Sequence, residues 1–145
     1  MRIAGTQFNL NQNALEVYVS GCKAPHCEGC HNSGLWNFSL GELFTITDMI
    51  DLGWKLNHPL VDNVWIMGGE PLDQDIRKLE TMVKHFTLYP VKIWLWTRYN
   101  NIPKSLMKII HFAKIGKYMK DKEGYTDERF GIELASGNQR ILQIQ

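Results

Sequence analysis

The sequence predicts an α/β fold, either an open, mostly parallel sheet or a partial (βα) barrel, in a single domain over residues 1–145. Short apolar runs alternate with helical stretches along the chain, which implies parallel strands joined by right-handed crossovers. The predicted strands, about four or five in number, are too few for a closed eight-stranded barrel. The hydrophobic fraction of 44% is that of an ordinary globular domain.

The predicted strands are short apolar runs that come before turns or loops. The run at 91–97 is apolar almost throughout, as expected for a strand that is covered on both faces. The other predicted strands span 15–20, 63–67, 113–119 and 141–144. In such a sheet the ligand site lies at the carboxyl ends of the strands. We therefore expect the segments that follow these strands to form the functional site.

Three helices and one loop complete the prediction. Thr45 has the hydroxyl of a helix cap and begins a helix that runs to about residue 57. Apolar residues recur on one face of a second helix over 76–86. Pro103 suits the first turn of a third helix, which ends at about residue 111. The charged stretch 120–129 is interpreted as a loop or a partly disordered excursion.

Composition and charge exclude several classes of protein. The net charge of +1 and the isoelectric point of about 7.7 lack the basic balance of a nucleic-acid-binding protein. No apolar run approaches the roughly 20 residues that span a bilayer. The first residues do not have the pattern of a secretory signal. We therefore expect a cytoplasmic protein with reduced thiols and with neither a nucleic-acid nor a membrane partner.

The most informative feature of the sequence is a cluster of its three cysteines, Cys22, Cys27 and Cys30, within nine residues. A buried structural cysteine has no reason to have two others nearby. Three soft sulfur ligands on one loop suit zinc or an iron–sulfur cluster. Three ligands also leave one coordination position open, as a catalytic metal site requires.

Several metal sites are compatible with such a loop. A zinc site needs a fourth ligand, for which His26 or His31 is close by, but structural zinc sites usually combine two separated ligand pairs. A ferredoxin-type carrier needs a fourth cysteine, which this chain lacks. The count therefore favours an iron–sulfur cluster with one open position, and zinc remains the alternative.

Two further motifs follow the second and third predicted strands. Gly68 and Gly69 allow close approach of the backbone to a ligand, and Glu70 can accept hydrogen bonds from an ammonium group. The same residues also suit a simple tight turn. Thr97 ends the third strand, where it can contact a ligand or serve only as a strand-forming residue.

The cysteine loop resembles the cluster loop of radical S-adenosylmethionine enzymes. More narrowly, the chain resembles the activating proteins of anaerobic (class III) ribonucleoside-triphosphate reductases, and the likeness spans residues 15–142. The motifs that carry it are Gly21-Cys22, Gly29-Cys30-His31-Asn32, Trp36, Gly68-Gly69-Glu70-Pro71, Trp96-Thr97-Arg98-Tyr99, Ile115-Gly116-Lys117-Tyr118 and Ser136-Gly137-Asn138-Gln139-Arg140.

The resemblance implies a radical S-adenosylmethionine fold and a specific set of site residues. Cys22, Cys27 and Cys30 would each bind one iron of a [4Fe–4S] cluster, and S-adenosylmethionine would occupy the remaining iron. Residues that would contact S-adenosylmethionine are Gly68, Gly69, Glu70 and Thr97. No catalytic side chain is implied beyond the cluster.

The resemblance also implies an oxidoreductase that activates a partner enzyme. One electron from the reduced cluster would cleave S-adenosylmethionine into methionine and a 5′-deoxyadenosyl radical. That radical would abstract hydrogen from a glycine Cα of the anaerobic ribonucleoside-triphosphate reductase. A one-electron donor, such as a flavodoxin-type protein, would reduce the cluster.

Two departures from the family pattern and two alternative functions accompany this interpretation. Four residues separate Cys22 from Cys27 where the family has three, and Arg98 replaces a family glycine. Asn138 and Arg140 either line a nucleoside pocket or anchor the final strand. The alternative functions are activation of another glycyl-radical enzyme, similar to pyruvate formate-lyase, and a non-enzymatic zinc-binding interaction module.

Overall fold

The computed structural model describes residues 1–145 and contains nine strands and three α-helices. The strands are β1 (Arg2–Asn9), β2 (Ala14–Val19), β3 (Glu42–Leu43), β4 (Asn63–Gly68), β5 (Lys92–Trp96), β6 (Phe112–Ile115), β7 (Glu123–Asp127), β8 (Ile132–Ser136) and β9 (Arg140–Gln143). The helices are α1 (Ile46–Leu56), α2 (Ile76–Phe86) and α3 (Lys104–Met107).

A seven-stranded mixed sheet forms the centre, in the order β3-β1-β2-β4-β5-β6-β9. Its middle strands β2, β4, β5 and β6 pair in parallel, whereas β1, β3 and β9 are antiparallel to their neighbours. The predicted α/β class and the parallel centre are confirmed. The antiparallel strands at both sides make the sheet larger and more mixed than the sequence indicated.

Both faces of this sheet are covered, which explains the apolar character of its middle strands. One face packs against the helices through a core that includes Val17, Ile66 and Leu95 of the sheet and Leu79 of α2. The other face packs against the hairpin of β7 and β8 through Trp65, Trp94 and Leu134. None of the helices has the length and apolar character required to cross a membrane.

The first two helices begin and end close to the predicted positions. Thr45 caps α1 through a reciprocal capping box, because its hydroxyl accepts from the Asp48 amide and the Asp48 carboxylate accepts from the Thr45 amide. The third helix is shorter than predicted and ends at Met107. Beyond it the amides of Ile109 and Ile110 still donate to the carbonyl of Leu106. The chain then joins the sheet, where the amide of His111 donates to the carbonyl of Ile93 in β5, at 2.8 Å.

The interpretation of 120–129 as a loop was wrong, because this stretch contains β7. The strand pairs antiparallel with β8, and only its last residue, Asp127, is buried. Charged and polar residues therefore suit β7, which faces solvent along most of its length. Strand β6 is shorter than the predicted 113–119 and ends before Gly116, which has a φ of +102°.

Candidate functional site

The carboxyl ends of the parallel strands meet at one rim of the sheet, as predicted. Strand β2 leads into the cysteine loop, β4 into the Gly-Gly-Glu-Pro turn and β5 into residues 97–99. These segments surround a cavity of about 270 Å³. Every site residue predicted from the sequence lines it: Cys22, Cys27, Cys30, Gly68, Gly69, Glu70 and Thr97.

The cysteine loop begins on a fixed backbone. The amide of Gly21 donates to the carbonyl of Leu35 at 2.8 Å, and the amide of Cys22 donates to that of Trp36 at 3.0 Å. Cys22 is buried, and this burial raises the pKa of its thiol to about 11. Cys27 and Cys30 are partly exposed, and all three cysteines are free thiols. The loop thus presents one buried and two accessible sulfur ligands to the cavity.

The donor set suits an iron–sulfur cluster. In an iron–sulfur cluster each thiolate binds its own iron, so the sulfurs need not converge on one point. Three free thiols on one cavity, without a fourth cysteine, therefore suit a cluster that keeps one iron open.

The two histidines of this region pack against aromatic rings. His26 stacks on Trp36, with 3.9 Å between the ring centroids, and its Nε2 donates to the carbonyl of Cys22 at 2.8 Å. The ring of His31 lies 4.8 Å from that of Tyr118 and lines the cavity. His26 thus supports the backbone of the cysteine loop, whereas His31 forms part of the cavity wall.

The two glycines of the turn are required by close packing against the end of β2. The amide of Gly69 donates to the carbonyl of Val19, and the amide of Glu70 donates to that of Gly21, both at 2.8 Å. A Cβ at Gly69 would overlap the carbonyl oxygen of Gly21 and lie 2.8 Å from its carbonyl carbon. Gly68 has a φ of +117°, which favours glycine. The turn is therefore bonded directly to the first residue of the cysteine loop.

Glu70 and Thr97 form a buried polar pair in the wall of the cavity. The Thr97 hydroxyl donates to Glu70 Oε1 at 2.6 Å, and the amide of Arg98 donates to Oε2 at 2.7 Å. The amide of Leu72 donates to Oε1 as well. Glu70 is only 1% exposed, and burial raises the pKa of its carboxyl group. The Glu70 side chain thus joins the turn after β4 to the segment after β5.

Lys114 is a charged residue of the cavity wall that the sequence analysis did not identify. It lies on β6 opposite Trp96, and its ammonium nitrogen is 5.6 Å from the centroid of the Trp96 ring. It forms no ion pair in the structure, and burial lowers its pKa to about 8. A lysine inside a short apolar strand was the available signal in the sequence.

The structure assigns an anchoring role to the residues before the last strand. The Asn138 side chain donates to the carbonyl of Lys117 at 2.9 Å, and the buried Gln139 side chain donates to that of Gly116 at 3.0 Å. Arg140 is exposed and pairs with Ile115 in the sheet. The Asn138 side chain thus holds the turn before β9, whereas Arg140 takes part through its main chain; a contact of either residue with a nucleoside stays a prediction.

A second, larger cavity of about 910 Å³ adjoins the first. The two share Cys27, Arg98 and Tyr118 in their walls. The rim therefore has room for a small-molecule ligand beside the thiols, in the usual size range of ligand sites.

Three free thiols on one loop at the carboxyl edge of an α/β sheet are the arrangement of an iron–sulfur protein. The family described as "4Fe-4S single cluster domain" matches residues 12–142, and the chain belongs to this family. The chain is also 32% identical over 113 residues to the anaerobic ribonucleoside-triphosphate reductase-activating protein of Enterobacteria phage T4. This similarity covers 72% of the chain and 70% of the phage protein. It confirms the resemblance on which the sequence analysis relied.

Proposed function

We propose that this chain is a radical S-adenosylmethionine activase, an oxidoreductase that generates a glycyl radical on an anaerobic ribonucleoside-triphosphate reductase. The observation that carries the proposal is the meeting of three free thiols and the Gly68–Glu70 turn at one cavity. Similarity to the phage activating protein supports the choice of partner. A one-electron donor, such as a flavodoxin-type protein, would complete the system.

In this proposal Cys22, Cys27 and Cys30 hold a [4Fe–4S] cluster. When bound, the cluster would supply the electron that cleaves the sulfonium of S-adenosylmethionine. The larger cavity beside Cys27 has the volume for the nucleoside and amino-acid parts of this ligand.

The remaining residues of the rim bind and orient S-adenosylmethionine. The backbone of Gly68 and Gly69 lines the cavity next to the thiols, and the side chain of Glu70 holds that backbone against Thr97. The ammonium group of Lys114 supplies a positive charge to a site that collects negative charge from thiolates and a carboxylate. Thr97 contributes to ligand binding through its bond to Glu70.

Anaerobic reconstitution with iron and sulfide tests the proposal. The wild-type chain should bind about four irons and cleave S-adenosylmethionine to 5′-deoxyadenosine when reduced. Replacing Cys22, Cys27 or Cys30 with alanine should abolish cleavage. Lys84→Ala, an exposed position on α2 that lines neither cavity, should leave cleavage intact. A colourless, zinc-loaded wild-type protein without cleavage would contradict the proposal.

The identity of the partner is tested separately by electron paramagnetic resonance. Mixing the reduced, cluster-loaded chain and S-adenosylmethionine with the reductase should produce a glycyl radical signal on the reductase. A signal on a pyruvate formate-lyase-like enzyme, and none on the reductase, would support the alternative activase.

A further inference from the structure

The loop between Cys22 and Cys27 is held by side chains from two other segments of the rim. The guanidinium group of Arg98 donates to the carbonyl of Pro25 at 2.7 Å and to the carbonyl of Lys23 at 2.8 Å. These carbonyls flank Ala24, in a stretch without regular secondary structure. Arg98 therefore fixes the main chain in the middle of the gap between the first two cysteines.

Asp73 holds the same stretch of main chain through an amide rather than through a carbonyl. Its carboxylate accepts from the amide of Lys23 at 2.7 Å, from the hydroxyl of Tyr99 at 2.7 Å and from Arg98 Nη2 at 3.3 Å. Asp73 is buried, and the Tyr99 hydroxyl also accepts from Arg98 at 3.1 Å. We call Asp73, Arg98 and Tyr99 the loop brace.

We propose that Arg98 is a positioning residue for the iron–sulfur cluster, acting through the loop brace on the main chain between Cys22 and Cys27. This inference rests on the proposed function. The gap of four residues gives the loop many conformations, and each residue that must be ordered costs conformational entropy. A planar guanidinium fork that bonds two carbonyls at once restricts the loop to a single conformation.

The brace also accounts for an arginine at a position where the resemblance led us to expect glycine. The Arg98 side chain reaches from the end of β5 to the cysteine loop and forms an ion pair with the buried carboxylate of Asp73, which compensates its charge. A lysine has the charge but not the fork, and it would reach only one of the two carbonyls. The longer cysteine gap and Arg98 therefore form one structural unit.

The experiment measures how fast the reconstituted protein loses iron to a coloured iron chelator under anaerobic conditions. Partners that orient metal ligands typically change metal affinity 10–100-fold when removed. We expect Arg98→Met to lose iron at least about tenfold faster than wild type, and Arg98→Lys to show an intermediate rate. Arg77→Met, an exposed arginine on α2, should lose iron at the wild-type rate.

A second readout separates positioning from a general loss of structure. The electron paramagnetic resonance spectrum of the reduced cluster should broaden in Arg98→Met. The melting temperature of the metal-free variant should stay within a few degrees of that of the wild type. Tyr99→Phe removes two bonds of the brace, the one to Asp73 and the one from Arg98, at a position that is 38% exposed, so it serves if Arg98→Met fails to fold. We expect it to release iron about threefold faster than wild type.

The outcomes distinguish this inference from the proposed function. If the wild-type chain takes up no cluster, the proposed function is wrong. If the wild type is loaded, but Arg98→Met and Tyr99→Phe release iron at the wild-type rate with an unchanged spectrum, only the role of the brace is refuted.

Discussion

Replacing Lys114 with methionine should stabilise the metal-free protein. The lysine ammonium lies in the wall of the cysteine cavity without an ion pair, 5.6 Å from the centroid of the Trp96 ring. Methionine keeps the length and the apolar stem of the side chain but removes the charge. A residue that destabilises the fold at its own position is a strong candidate for a role in binding.

The magnitude follows from the pKa of Lys114. Burial lowers it from 10.5 to about 8, and each pKa unit corresponds to about 1.4 kcal/mol. The charged form is therefore disfavoured in the folded protein by about 3 kcal/mol at most. Solvent screens part of this penalty, and the variant loses a cation–π contact worth about 0.5–1 kcal/mol. The expected gain at pH 7 is about 1–2 kcal/mol in the free energy of unfolding.

The gain should depend on pH in a defined direction. Between the folded pKa of about 8 and the ordinary value of 10.5, the unfolded chain binds more protons at Lys114 than the folded one. The stability of the wild type therefore rises with pH across this interval. Consequently, the advantage of Lys114→Met is full below about pH 8, shrinks above it and vanishes beyond about pH 10.5.

Urea unfolding of the metal-free proteins at a series of pH values measures this effect. Lys92→Met, an exposed lysine on the neighbouring strand β5, is the matched control and should change stability little at any pH. If Lys114→Met is no more stable than wild type at pH 7, or if its advantage does not decline between pH 8 and 10.5, our account of the buried ammonium is refuted.

Two further substitutions test the rim. Thr97→Val removes the hydroxyl that donates to the buried carboxylate of Glu70 and should lower the free energy of unfolding by about 2 kcal/mol. Thr97→Ser keeps a hydroxyl and should retain most of the wild-type stability. Equal losses of stability in both variants would contradict the role of the hydroxyl. Gly69→Ala introduces a Cβ that overlaps the Gly21 carbonyl and should cost about 1–3 kcal/mol and reduce iron uptake. Gly5→Ala is its control, because no atom lies within 4 Å of a Cβ added at Gly5. Similar unfolding curves and similar iron uptake for both alanine variants would show that the turn can accommodate a Cβ at Gly69.

The parallel centre of the sheet and the first two helices could be predicted because their signals are local. Strands covered on both faces consist of apolar residues, as in β5, and α1 has both members of a capping box, Thr45 and Asp48. By contrast, β1 was not predicted, since it is a mixed-polarity strand whose residues are mostly only half-buried. Its pairing with β2 depends on a hairpin in which Asn13 adopts a φ of +45°.

The candidate site shows the same division. Three cysteines in nine residues are visible in any sequence, and their place after a strand locates the rim. Asp73 and Lys23, however, are fifty positions apart, and their hydrogen bond exists only because two loops meet at the rim. The role of Arg98 likewise depends on which carbonyls its guanidinium reaches, which the residue type alone does not specify.

The main-chain hydrogen bonds at the rim tie its segments together without using side-chain atoms. The amides of Cys22, Glu70 and Thr97 are bonded to other backbone segments of the chain itself. A backbone amide donates whatever side chain its residue carries. The chemical groups that face the cavity can therefore be exchanged by substitution while the main-chain scaffold that presents them keeps its own bonds.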